Sequence, residues 1–112
     1  MEKIAIPVNA NGCLEPHFGH CPQFLFANIS NNKVEYTEIV DAPPHEPGLL
    51  PKWMAEHSVA TVLAGGIGQR AIDLFDKRNI KVYIGAPQID VNELLNEYLS
   101  GELKFTSNLC DH

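Results

Sequence analysis

Basic residues are scarce in this chain: eight Lys and Arg stand against fourteen Asp and Glu, a net charge of −6 with the histidines neutral. A surface that follows nucleic-acid phosphates needs clustered Lys and Arg, and here they are scattered, which argues against nucleic acid as a partner. Long apolar runs are missing as well. The apolar stretch within Met1–Val8 is too short for a membrane span or a secretory leader, so the expected setting is the reducing cytoplasm, with no membrane partner. There are only three cysteines, an odd number, which suits thiols or metal ligands better than a disulfide framework. Catalytic signatures are absent too. Ser30, Ser58, Ser100 and Ser107 lie in no G-x-S-x-G context, there is no H-E-x-x-H, and Glu35, Glu38, Asp41, Glu56, Asp73 and Asp76 are spaced as on solvated faces. The chain is not expected to be an enzyme.

What is present is an ordinary globular composition, 45% apolar and 20% charged over 112 residues, which fits one domain spanning 1–112. Lys3 to Val8 reads as a buried strand. Gln23 to Ile29 and Val34 to Val40 read as a hairpin around the polar turn Ser30-Asn31-Asn32-Lys33. Asp41 to Pro51, with four prolines and a glycine, is a loop. Leu50, Trp53, Met54 and His57 then follow helical spacing to about Glu56. Ala60 to Ala64 is a strand ended by Gly65-Gly66-Ile67-Gly68, Gln69 to Arg78 an amphipathic helix, and Ile80 to Ile84 another strand. Asp90, with Glu93 three residues on, opens a last helix that Gly101 stops. The tail from Glu102 shows no strong period. The order β-β-β-α-β-α-β-α predicts an α/β domain with a mixed five-stranded sheet flanked by helices, parallel where helices cross over and antiparallel in the first hairpin.

The densest group of reactive side chains is Cys13-Leu14-Glu15-Pro16-His17-Phe18-Gly19-His20-Cys21, on the loop after the first strand. Thiolates and imidazoles favour zinc, iron, copper or iron–sulfur species over magnesium or calcium, although the spacing is neither that of a zinc finger nor that of a ferredoxin. The competing reading makes Cys13 and Cys21 small buried hydrophobes and the histidines surface groups. Cys110 and His112 form a second pair at the C-terminus, able to complete the site if the tail folds back. Gly65, Gly66 and Gly68, between a strand and a helix, offer backbone N–H groups to an anion such as a sulfide-bridged cluster; a nucleotide loop would need a following Lys-Ser/Thr.

The His17-Phe18-Gly19 motif, the aromatic strand with Phe24 and Phe26, and the run from Ala60-Thr61-Val62 through Gly65-Gly66-Ile67-Gly68 belong to one larger pattern. With Ile80-Lys81-Val82-Tyr83, Tyr98-Leu99-Ser100-Gly101-Glu102-Leu103 and Cys110-Asp111-His112, the chain resembles the dinitrogenase iron–molybdenum cofactor-binding family of the NifX and NifB C-terminal type over nearly its whole length. The resemblance implies a ribonuclease-H-like mixed sheet and a carrier or scaffold for iron–sulfur or molybdenum–iron–sulfur clusters, with His17 the leading ligand; Cys and His near the C-terminus are common in the family, and here they are Cys110 and His112. The family commonly has an arginine after His-Phe-Gly; this chain has His20-Cys21 there, which favours a directly ligated cluster or a single transition metal such as zinc. Cluster-donor or acceptor proteins would be the partners, and the sequence leaves the oligomeric state open. Two rival readings are a metal-free protein–protein adaptor that regulates a redox enzyme, and a thiol sensor that pairs Cys13 with Cys21.

Overall fold

The computed structural model describes residues 2–16, 18, 21–44, 46, 48–101 and 107–108. Its first strand, β1 (Glu2–Val8), pairs antiparallel with β2 (Gln23–Ser30), from Glu2 opposite Ile29 to Val8 opposite Gln23. Strand β2 in turn pairs antiparallel with β3 (Lys33–Asp41). The two strands are joined by Asn31 and Asn32, whose φ angles of 53° and 61° are the positive pair that a two-residue hairpin turn requires and that Asn tolerates.

Beyond the hairpin, α1 (Leu49–Glu56) leads to β4 (Thr61–Leu63), α2 (Gln69–Lys77) to β5 (Lys81–Ile84), and α3 (Val91–Ser100) follows. Strands β1, β4 and β5 are mutually parallel, as two helical crossovers demand. The mixed sheet and its three helices form a single α/β domain. One strand was not legible in the sequence: Ser107–Asn108 forms β6, antiparallel to β5, and extends the sheet order to β3-β2-β1-β4-β5-β6. Two residues carry no detectable alternation, which is why the tail reads as patternless.

Strand β1 is apolar from Ile4 to Val8 because both of its faces are covered there. Ala5, Phe24, Phe26, Val62 and Val82 meet Met54 of α1 and Ile72 and Phe75 of α2 on one face. Ile4, Ile6, Val8, Leu25, Ala27 and Leu63 meet Val91, Leu94 and Leu95 of α3 on the other. Parallel strands sandwiched in this way need no polar residue in alternation. Strand β3 is the contrast, exposed along nearly its whole length at the sheet edge.

The helix starts differ in a way that matters for function. The side chain of Asp90 accepts hydrogen bonds from the N–H groups of Asn92 and Glu93, so α3 is capped and has an acidic residue in its first turn. Helices α1 and α2 begin at Gly48 and Gly68. Among the described residues, neither has a side-chain cap or an acid in its first turn.

Candidate functional site

In open α/β sheets, ligands gather where loops leave the carboxyl ends of parallel strands. Here three such segments meet. The loop after β1 crosses those ends: the Leu14 N–H donates to the Ile89 carbonyl after β5, and the Glu15 N–H donates to Pro7. A methyl group added at Gly65, after β4, would touch Leu14 at 3.5 Å and Pro16 at 3.6 Å. These are ordinary contact distances, so the loop packs directly on the strand end.

Where this loop reaches α2, it walls a groove of about 490 Å³. Phe18, Leu50, Pro51, Ile67 and Leu74 make its surface apolar, and Glu46 and Arg70 bring charge to it. Phe18 is itself buried, with its ring edge-on to Phe24 and Phe75, centroids 5.4 and 5.7 Å away. The loop is therefore anchored in the core next to the groove.

The first turns of both uncapped helices, at Gly48–Pro51 and Gly68–Ala71, line the same groove. The first N–H groups of a helix have no intrahelical acceptor and carry about half a positive charge. The two ends and the Arg70 guanidinium bring positive potential to the groove, offset in part by the Glu46 carboxylate; because the Leu49 N–H donates to the Glu46 carbonyl and Pro51 has no N–H, α2 supplies most of the free donors. Among the described residues, a Cβ built on Gly68 would meet nothing within 4 Å, and one on Gly66 only the Pro16 carbonyl at 3.7 Å. Neither glycine has a positive φ. Internal packing therefore does not require glycine at these two positions, whereas close approach of a ligand to the backbone would. An anionic metal–sulfur group, with sulfides that accept N–H hydrogen bonds and an apolar surround that excludes water, fits this donor set.

The candidate ligands separate. Cys21 lies in the core on the α1/α2 face, 1% exposed, and its thiol donates to the Gln23 carbonyl at 2.6 Å, with the Val8 carbonyl at 3.7 Å. Burial pushes its pKa up from the ordinary thiol value, and the charge of Glu15 adds to that shift. Cys13 is half-buried at the other end of the loop, where its backbone bridges to Asp90 and its N–H donates to the Asn9 side chain. Both cysteines are free thiols. Among the described residues no three His, Cys, Asp or Glu side chains group as a metal site. His17, His20, Cys110 and His112 lie outside the described residues. The groove-lining Arg70 and Leu50 were not picked out from the sequence. The available signal was a cation two residues after a glycine turn, where a helix start ordinarily prefers acids.

A family model described as dinitrogenase iron-molybdenum cofactor matches residues 1–101. The chain belongs to this family. It is 30% identical over 107 residues to the uncharacterized protein MJ0580 of Methanocaldococcus jannaschii, covering 91% of this chain and 89% of that one. The crystal structure of PH0822 superposes with a TM-score of 0.85 at 32% identity, over 92% of this chain and 95% of the other. The apo form of the orange protein from Desulfovibrio gigas shares the fold, with a TM-score of 0.78 at 20% identity over 96% and 95% of the two chains. No helix among the described residues of this family member is long and apolar enough to cross a membrane.

A second polar cluster lies at the opposite end of the sheet. Thr61 donates to the Glu2 carboxylate, and burial, then Glu2 and Tyr83, push the Tyr98 phenol from 10.0 to about 12. Both raised groups favour their neutral forms in the folded state. Stability is thus intact below the ordinary pKa values and falls as pH climbs past 9.0 for Cys21 and from 10.0 towards about 12 for Tyr98. The melting temperature is expected to hold up to about pH 9 and then to decline, and Tyr98→Phe should flatten the upper part of that decline in a pH series of thermal melts.

Proposed function

We propose that this protein is a non-catalytic carrier that holds an iron–sulfur or molybdenum–iron–sulfur cluster in the groove between the starts of α1 and α2. The observation that carries the reading is the convergence of two uncapped helix N-termini and Arg70 on one apolar groove. Family membership over residues 1–101 supports the chemical class of the ligand.

In this reading the N–H groups at Gly68–Ala71 and that of Leu50 would donate to the cluster's sulfides, Arg70 would offset its negative charge, and Phe18, Leu50 and Ile67 would shield it from water. His17, immediately before the groove-wall residue Phe18, is the leading ligand. Cys13, at the other end of the loop beside Asp90, does not line the groove and stands outside this site, and Cys21 serves as a core residue. His20, Cys110 and His112 complete the candidate set. The ribonuclease-H-like label, one domain over 1–112, a reducing cytoplasmic setting and a donor or acceptor protein for the cluster belong to the same reading. A single transition metal such as zinc would leave the N–H donors without a role.

The test is anaerobic reconstitution followed by elemental analysis and an absorption spectrum. Wild-type protein should bind iron and sulfide in fixed ratio and show visible charge-transfer bands. His17→Ala should lower the metal content, and Arg70→Glu should weaken loading by about tenfold or more, roughly 1.4 kcal/mol, by placing a carboxylate beside the anion. A colourless protein with no stoichiometric metal would overturn the proposal.

A further inference from the structure

Among the described residues, the groove at the starts of α1 and α2 is lined by two ionised side chains, Arg70 and Glu46, and they are opposite in sign. Every other feature there suits an anion: free N–H groups, a guanidinium and apolar walls. A carboxylate does not. The fold asks little of the Glu46 side chain. What it uses is the backbone carbonyl, which accepts from the Leu49 N–H at 3.1 Å in the turn ahead of α1, where Gly48 takes a φ of 78°. Any residue supplies that carbonyl. Among the described residues the exposed Glu46 carboxylate has no hydrogen bond and no ion pair, with Arg70 or with any other group. Asp73, the acid three residues after Arg70, differs on both counts: it accepts from the Gln69 side chain at 2.9 Å and does not line the groove.

We infer that Glu46 sets how readily the groove releases its occupant: its carboxylate repels the anion and keeps it from being held as tightly as the N–H donors and Arg70 alone would hold it. The inference rests on the reading of this groove as a cluster site. A carrier has to give up what it carries, and differences in affinity are expressed mostly in the rate of dissociation. The donors of α2 and the guanidinium strengthen retention. One carboxylate on the flank of the same groove moderates it and leaves the apolar walls as they are. Its placement suits that role. The turn before α1 fixes the backbone of Glu46 and leaves the side chain unpaired, so its charge acts on the occupant without being neutralised by Arg70. Because the carboxylate is exposed, its effect is one that dissolved salt screens.

The test is the rate at which anaerobically reconstituted protein loses its visible absorption to an excess of iron chelator, at low and at high salt. Glu46→Gln should slow the loss by about threefold or more at low salt, and Glu46→Lys should slow it further. At high salt both should approach wild type, and the melting curves of the unloaded proteins should coincide. Glu46→Asp, which keeps the charge, should stay nearer to wild type than Glu46→Gln. Glu56→Gln, at the far end of α1, should leave the rate alone. A rate that Glu46→Gln leaves unchanged would overturn the inference. So would a faster loss, which would make the carboxylate a ligand to the metal; in both cases the carrier reading stands. Wild-type protein that takes up no cluster would overturn the two together.

Discussion

Gly68→Asp should make the protein more stable and less able to hold its cluster. The N-cap of α2 has backbone angles of −71° and 150°, which any residue adopts, and open space where a side chain would go. A carboxylate there would accept from the free N–H groups of the first turn and complement the helix dipole, a gain of about 0.3–1 kcal/mol. The same carboxylate would occupy the donors assigned to the sulfides and repel an anion, so cluster loading should fall by about tenfold or more. Thermal melts and metal content measured on one preparation would give opposite signs. A residue serving the fold alone would move both together or leave loading unchanged.

The largest loss of stability is expected on the α1/α2 face. Phe24 is fully buried, edge-on to Phe18 and with its centroid 5.9 Å from that of Trp53, so it joins the site loop, β2 and α1. Phe24→Ala removes those contacts and leaves a cavity between rigid neighbours, at a cost of about 3–5 kcal/mol. For a domain of this size that is a large part of the total stability. Urea unfolding should show a midpoint well below that of wild type with a similar slope. Because Phe18 loses its partner, the groove wall should loosen as well, and cluster retention should fall along with stability.

These two sites illustrate what the sequence discloses. The strands buried on both faces are mostly apolar, the Asn31-Asn32 turn has the residues its dihedral angles require, and Asp90 and Gly101 mark the ends of α3 by their own chemistry. Such signals are local, and they were readable. The groove is not local. It forms because two helices that begin some twenty residues apart start at the same place, and the sign that they do is the absence of a cap, which a sequence scan passes over. The proline-rich segment before α1 has no period to say where it leads.

The nine residues from Cys13 to Cys21 look like one ligand set because they are close in sequence. The loop has no regular period, however, so spacing along it does not tell which way a side chain points. In space it starts beside Asp90 at the start of α3 and enters the opposite core at Phe18 and Cys21. Cys21 gains more from burial against Phe24 and from the carbonyls of Gln23 and Val8 than from exposure to a metal. The reading of that cysteine as a small hydrophobe, set beside the ligand reading at the outset, is the one its surroundings favour.

The location of the cluster can be tested residue by residue with amide resonances of isotope-labelled protein, recorded before and after anaerobic loading. Shifted or paramagnetically broadened signals are expected at Leu49, Leu50, Gly66, Gly68, Arg70 and Ala71, with those of Asn31, Asn32 and Tyr98 at the far end of the sheet unchanged. Changes confined to that far end, or none at the starts of α1 and α2 in protein shown to carry metal, would contradict it.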